Sequence, residues 1–331
     1  MQKINVIGGG GFIGTRLIKR LLRDDRLSVQ IIDKVPSKAY PDLVTLGDVR
    51  SVEQLRASIS NRAVIINLAA EHRDDVRPLS LYEEVNVGGA RNLSIVAREK
   101  NVQTIIFTSS VAVYGFAPID TDESGKIVPF GEYGRTKYEA ELVLKAWQAE
   151  EPIKRTLVII RPTVVFGEQN RGNVYNLLRQ IASGKFIMVG NGENRKSMAY
   201  VENVAAFIEY AMRFRPGVHT YNFIDKPDFT MNTLIANVSS ILGRSEKIRF
   251  RLPFAVGYMI GKAFDLIAAL TGKRFSISSI RVKKFCSNSI YNTAIYQTGF
   301  ISPVPLEQAL AQTVIYEFLE SHEHEGVFYT E

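Results

Sequence analysis

The run Gly8-Gly-Gly-Gly-Phe-Ile-Gly14 constrains the fold of this chain more than any other stretch. It follows an apolar, β-branched segment at 3–7 and opens a helix-like stretch at 11–23. Gly8, Gly11 and Gly14 place a glycine at every third position. The first permits a tight turn, the second lets backbone approach a pyrophosphate, and the third lets the helix pack closely on the strand. The pyrophosphate would rest on the helix N-terminus, where unpaired N–H groups and the helix dipole favour an anion. Asp33 ends the next strand-like run, about 20 residues on, where a carboxylate accepts from ribose hydroxyls. It also repels a 2′-phosphate, so NAD is expected over NADP, a preference softened by the adjacent Lys34.

The first half of the chain alternates strand-like runs at 3–7, 29–32, 64–67, 104–108 and 156–160 with helix-like stretches at 11–23, 79–100 and 133–147. That alternation predicts an α/β fold, a Rossmann-type doubly wound parallel sheet with helices on both faces. The second half is less regular, with helical stretches at 173–183, 201–214, 231–242 and 303–319. It suits a smaller C-terminal substrate lobe. The expected division is 1–167 for an NAD-binding domain and 168–331 for the substrate lobe, with the chain free to cross between them. The 331 residues, 46% of them hydrophobic, are ample for one large domain or two lobes. A single cysteine, Cys286, excludes an intrachain disulfide.

Tyr133 and Lys137 lie four residues apart in a helix-like stretch, which puts both side chains on one face. A lysine charge there is expected to favour the phenolate and lower the tyrosine pKa from about 10. Such a phenol exchanges a proton with a sugar or alcohol hydroxyl near neutral pH. Upstream, the strand 104–108 ends in Ser109-Ser110, at the carboxyl end of a strand, where open parallel sheets bind ligands. Ser110, Tyr133 and Lys137 form the expected catalytic set, and with the glycine loop they point to hydride chemistry at a carbon bearing a hydroxyl.

With these residues in order, the chain resembles the extended short-chain dehydrogenase/reductase family, the sugar-nucleotide epimerases and dehydratases. The resemblance rests on the glycine run, Asp33, Gly47-Asp48-Val49, Asn67-Leu-Ala-Ala70, Asn86, Ser110, Tyr133, Lys137 and Arg161-Pro162. It implies that Gly8, Gly11, Phe12, Ile13, Gly14, Asp33, Lys34, Asp48, Val49, Leu68, Ala69, Ala70, Asn86, Tyr133, Lys137 and Pro162 hold NAD. Asp48 and Val49 would meet adenine, and Leu68 to Ala70 would line the pyrophosphate side. Ser110 would orient the substrate oxygen, Tyr133 act as acid and base, and Lys137 hold the nicotinamide ribose. Glu71, His72, Arg73, Ser110, Asn173, Arg195 and Lys196 are the expected substrate contacts.

Longer strings narrow the resemblance. Ala70 to Val76, Arg161 to Gly167, Asn170 to Asn176, Lys196 to Val201 and Ser279 to Cys286 are similar to enzymes that epimerise carbon 4 of N-acetylglucosamine carried on undecaprenyl diphosphate. They are also similar to UDP-N-acetylglucosamine 4-epimerases. The resemblance implies a place in surface-polysaccharide synthesis, that of O-antigen and lipopolysaccharide. UDP-hexose 4-epimerases usually carry an arginine where this chain has Lys196, preceded by Arg195, and a lysine is a point charge rather than a two-pronged fork. A UDP-hexose 4-epimerase, a sugar-nucleotide 4-ketoreductase and a non-catalytic dinucleotide-binding regulator stay open as alternatives. The intact serine, tyrosine and lysine argue against the last.

The net charge of +7 fits solubility, an anionic membrane surface or a phosphorylated substrate. No basic-and-aromatic constellation points to nucleic acid. His72, His219, His322 and His324 lack metal-ligand spacing, so no metal is expected. Lys247, Arg249 and Arg251 alternate with apolar residues. The run 254–270 follows, with Val256, Ile260, Ala263, Ile267 and Leu270 at helical spacing and Tyr258, Lys262, Asp265 and Ala269 on a narrower polar stripe. Lys273, Arg274, Arg281, Lys283 and Lys284 come next. Periodicity alone reads the run as a core helix with a solvated basic face. The resemblance supplies the alternative, an interfacial helix against an anionic membrane. Met1 to Ile7 already reads as a strand, leaving no room for a cleaved leader, so a cytoplasmic location is expected, extending to peripheral contact at the inner membrane face. A homodimer stays open.

Overall fold

In a computed structural model the described residues are 1–73, 76–246, 248, 250–272, 278–322 and 326–329. Asp74, Asp75, Lys247, Arg249, Lys273, Arg274 and His324, which the sequence reading drew on, lie outside them.

The glycine run sits between β1 (Gln2–Ile7) and α1 (Phe12–Leu21). Further on come β2 (Leu27–Asp33), β3 (Val44–Leu46), α2 (Val52–Ser58) and β4 (Val64–Asn67). The helical turn α3 (Ser80–Tyr82) runs through a wide turn, Glu83–Gly88, into α4 (Gly89–Glu99). Then follow β5 (Thr104–Thr108), α5 (Glu132–Ala149), β6 (Thr156–Pro162) and β7 (Val164–Phe166). The remaining strands are β8 (Met188–Val189), β9 (Arg195–Tyr200), β10 (Gly217–Phe223), β11 (Asp225–Thr230) and β12 (Arg251–Leu252). The remaining helices are α6 (Asn173–Ala182), α7 (Val201–Ala211), α8 (Met231–Ile241), α9 (Phe254–Thr271), α10 (Ser279–Cys286) and α11 (Leu306–Phe318).

Seven strands form one sheet in the order β10-β6-β5-β4-β1-β2-β3, all paired in parallel. The Rossmann-type doubly wound reading holds. Strand side chains alternate between the two faces, and both faces are apolar. Ile4, Val6, Ile31, Ile66, Ile106 and Ile160 pack with Leu17, Leu21, Val204 and Phe207 of α1 and α7. Ile7, Ile32, Ile65, Ile105, Phe107 and Ile159 pack on the other side with Leu55, Leu93, Leu144 and Trp147 of α2, α4 and α5. Each such side chain contributes about 1.5–3 kcal/mol of burial, which is why short runs of Val and Ile suffice as strands. A separate core of Leu178, Ile181, Met198, Phe229, Leu234, Leu310 and Val314 lies under the smaller sheet β11-β9-β7. Residues 201–223 supply α7 and β10 to the large sheet, so the chain returns to it after the smaller lobe has begun.

The core reading of α9 is corrected. Of its 18 residues only Gly257 and Gly261 are buried, while Met259 is 71% and Leu270 77% exposed. Helical apolar spacing reports amphipathicity but not which partner covers the apolar side. The two glycines are the contacts. A Cβ on Gly257 would stand 2.6 Å from Val189, and one on Gly261 would stand 2.7 Å from Ser279 backbone.

Candidate active site

The strand order reverses between β4 and β1, and the site is built at that switch point. Gly8 leaves β1 with φ +75°, and a Cβ there would stand 2.7 Å from the Ala69 nitrogen on the loop after β4. A Cβ on Gly14 would stand 2.5 Å from the Gly9 carbonyl oxygen. Both glycines are therefore obligatory for space, and Gly8 for conformation as well. Gly11 is the N-cap of α1 and offers no side-chain cap, so the first N–H groups of that helix remain available to an anion. Asp33 ties the loop to the end of β2 by accepting from the Gly10 N–H at 3.0 Å.

A cleft of about 630 Å³ opens above these strand ends, within the range of small-molecule and cofactor sites. Its walls include Gly8, Gly11, Phe12, Ile13, Gly14, Asp33, Lys34, Asp48, Val49, Leu68, Ala69, Ala70 and Pro162 of the expected cofactor residues. They also include His72, Ser110, Tyr133 and Asn173. Burial pushes the His72 imidazole below its ordinary pKa, so it is a neutral group at neutral pH.

Ser110 follows β5 and Tyr133 opens α5. The segments that carry them are locked together. The Val128 N–H donates to the Val113 carbonyl at 3.1 Å, and a Cβ on Gly134 would stand 2.4 Å from the Ala112 carbonyl oxygen. This close seating sets Ser110 and Tyr133 side by side on the cleft wall.

The expected lowering of the Tyr133 pKa is overturned. Burial pushes the phenol above its ordinary value of 10, and the Ser110 hydrogen bond only partly opposes it. Lys137 is itself fully buried, its Nζ 4.3 Å from the centre of the Phe107 ring. Burial lowers its pKa to about 7, with Glu141 pulling the other way. Helical spacing gives proximity but not solvation, and here burial is the largest cause at both Tyr133 and Lys137, with Lys137 not among the causes acting on the phenol.

Several expected residues stand apart from the cleft wall. Asn86 is spent on structure. Its amide nitrogen donates to the Glu71 carbonyl at 3.0 Å and to Thr136 Oγ1 at 2.9 Å, and its oxygen accepts from the Glu71 N–H at 2.9 Å. Lys137, Glu71 and Arg73 are likewise outside the wall, and Arg73 forms a 3.7 Å ion pair with Glu71. Lys196 donates to the Lys284 carbonyl at 2.8 Å and to the Ser287 carbonyl at 2.6 Å. Its ammonium caps the C-terminal end of α10, where a cation meets the negative end of the helix dipole. Burial lowers its pKa to about 8. Arg195 beside it is exposed and outside the wall.

Sequence reasoning missed Arg50, Ser109, Thr163, Asn170 and Tyr291, all in the wall. Arg50 pairs with Asp48 at 2.6 Å, a contact that holds the Asp48 carboxyl below the usual carboxylate range. Ser109 Oγ is buried without a hydrogen-bond partner among the described residues. The Ser109-Ser110 doublet was a visible signal for it. A free N-terminal helix turn, a glycine cradle that a Cβ would fill and an orphaned buried hydroxyl together fit a dinucleotide.

The model of the NAD dependent epimerase/dehydratase family matches residues 4–223. This chain belongs to that family. Epimerases and dehydratases of this kind use NAD, and the cleft is where an NAD would lie. The chain is 46% identical to the N-acetyl-alpha-D-glucosaminyl-diphospho-ditrans,octacis-undecaprenol 4-epimerase of Escherichia coli O157:H7, over 100% of this chain and 99% of that protein. In fold it is similar to the UDP-glucose 4-epimerase of Thermotoga maritima solved with UDP-glucose. That match has TM-score 0.74 and 22% identity, covering 96% of this chain and 100% of that one. It is also similar to the UDP-glucuronic acid 4-epimerase of Bacillus cereus solved with NAD. Here the TM-score is 0.73 and the identity 18%, covering 95% and 98%.

Proposed function

We propose that this protein is a 4-epimerase of an N-acetylhexosamine joined through diphosphate to undecaprenol, interconverting N-acetylglucosamine and N-acetylgalactosamine. The observation that carries the reading is the seating of Ser110 against Tyr133 on the wall of the dinucleotide cleft, together with full-length similarity to an enzyme of that name. NAD, when bound, would supply the hydride acceptor and donor and a positive charge that favours the phenolate of Tyr133. Ser110 holds the substrate oxygen. Tyr133 must first be ionised; as the phenolate it takes the proton of the 4-hydroxyl as carbon 4 is oxidised, and it returns that proton after the keto sugar has turned its other face. Lys137, fully buried with its Nζ over the Phe107 ring, would support the strand end beneath the dinucleotide from behind the cleft. His72, neutral and in the wall, is a hydrogen-bonding partner for the sugar.

The same reading places the protein at the surface of an anionic membrane. α9 is long and apolar enough to cross a membrane by length and composition. Its edge is instead sealed to β8 and α10 through Gly257 and Gly261, and Asp265 accepts from Ser279 Oγ at 2.5 Å. A helix held along its length in this way lies on a bilayer rather than through it. Lys262, Lys283 and Lys284 are exposed beside it.

The decisive experiment presents lipid-linked and UDP-linked N-acetylglucosamine side by side. The lipid-linked sugar should convert to its carbon-4 epimer faster, with no lasting change in nicotinamide absorbance. Steady consumption of NADH in step with product would establish a ketoreductase instead. Equal or better use of the UDP sugar, with no binding to anionic vesicles at low salt, would establish a soluble nucleotide-sugar epimerase.

A further inference from the structure

Two exposed aromatic rings stand outside the cleft on the segments that carry its reacting groups. Phe116 lies six residues after Ser110, and Phe130 three residues before Tyr133. They are 55% and 60% exposed, yet they pack edge to face with centroids 4.7 Å apart. Lys284 of α10 places its Nζ 5.3 Å from the centre of the Phe130 ring. Single exposed apolar residues are ordinary on a protein surface. A fixed aromatic pair under a cation, joined to the catalytic segments, is a built feature.

Its surroundings extend it in one direction. α10 packs antiparallel on α9, since Ser279 at its start meets Gly261 and Asp265, and Cys286 at its end donates its thiol to the Val189 carbonyl at 3.3 Å beside Gly257. The end of α10 that carries Lys284 therefore lies beside the N-terminal half of α9, where Phe254, Val256 and Met259 are exposed. A ligand with a diphosphate followed by a linear run of methyl-branched isoprene units pairs a negative charge with a long apolar tail, as this region pairs the Lys284 cation with exposed phenylalanines and α9. A nucleotide in the same place would set a polar ribose and base against the phenylalanines.

We propose that Phe116 and Phe130, with Lys284, form a subsite for the diphosphate-proximal isoprene units of the substrate, outside the sugar pocket. This deepens the function proposed above and rests on it. The rings would receive the tail as it leaves the cleft and pass it toward α9. Lys284 would face the diphosphate.

The test uses N-acetylglucosaminyl diphosphates with geranyl, farnesyl and longer prenyl tails, assayed with the full-length NAD-loaded protein in buffer without vesicles. For the wild type, KM should fall as the tail lengthens from geranyl to farnesyl, by about tenfold. In Phe116→Ser/Phe130→Ser the dependence on tail length should flatten while kcat and NAD binding are kept. In the milder Phe130→Leu it should be retained in part, which separates lost contact from a lost fold. Lys284→Gln should raise KM by a similar factor for every tail. An unchanged length dependence in the double variant would overturn the subsite. So would a length dependence that arises only when vesicles are added, since the rings would then be meeting bilayer rather than substrate. Failure of the wild type to turn over any prenyl-linked sugar would overturn the subsite and the proposed substrate together.

Discussion

Glu141 holds the guanidinium of Arg161 in a two-pronged contact, with Nε to Oε1 at 2.9 Å and Nη2 to Oε2 at 2.6 Å. Both side chains are buried, at 0% and 3% exposure. Arg161 continues to the Tyr114 hydroxyl at 2.6 Å, and Tyr114 donates to Asn222 Oδ1 at 2.8 Å. The chain of contacts joins α5, β6, the turn after Ser110 and β10. Glu141→Ala would leave the Arg161 charge buried and unpaired. We expect a loss of about 3–5 kcal/mol, read as a fall in the denaturation midpoint, whereas Glu141→Gln should lose less. A stability unchanged in Glu141→Ala would show that the pair is not needed.

Tyr133→Phe removes only the hydroxyl proposed to exchange a proton. Turnover should fall by about 10²–10⁴-fold, with NAD affinity nearly unchanged in a calorimetric titration. Retention of most activity would move the acid and base role elsewhere.

Lys137 gives stability a pH dependence of known sign. Its folded pKa of about 7 lies below the ordinary 10.5, so between those values the unfolded chain holds a proton that the folded chain has lost. Stability attributable to this group should therefore rise with pH through that window, by at most about 1.4 kcal/mol per pH unit. Below pH 7 both states are protonated and the cost of burying the charge is felt in full. The difference between wild type and Lys137→Met in urea unfolding, followed from pH 6 to pH 10, measures it. A flat difference would show that Lys137 is solvated in the folded state.

Asp33 is the residue proposed to set the choice of dinucleotide. Its carboxylate lines the cleft and is anchored to Gly10 and, at 3.3 Å, to the Val35 N–H. NAD should bind more tightly than NADP, and Asp33→Ser should narrow the gap by removing the repulsion while weakening NAD. Tighter NADP binding by the wild type would overturn the assignment.

Much of this was legible in sequence because it is local. The glycine spacing, the strand runs and the Tyr133–Lys137 interval depend on contacts within a few residues or on a fixed period. What stayed hidden depends on long-range partners. Lys196 looks like a phosphate ligand beside Arg195, but its carbonyl partners lie 88 and 91 residues away on α10. Phe130 and Lys284 are brought together from opposite halves of the chain. Asn86 occupies a family position, yet its hydrogen bonds fasten Glu71 to Thr136. The Tyr133 pKa was misjudged because spacing carries no information on burial. The periodicity of α9 was read correctly as a helix but left its cover open between core and membrane, since a pattern of apolar residues does not name what covers it.

The seventh strand of the large sheet, β10, arrives late. Residues Gly217–Phe223 pair along the whole of β6, from Thr156 to Pro162. During synthesis the six earlier strands leave the ribosome first, with β6 as an open apolar edge. That edge stays unpaired until some sixty further residues have followed, which at about 5–20 residues per second lasts several seconds. An unpaired strand edge is a template for other chains. The nascent protein is thus most exposed to misassembly in the interval between β6 and β10, and a fragment ended at residue 167 would remain in that state permanently.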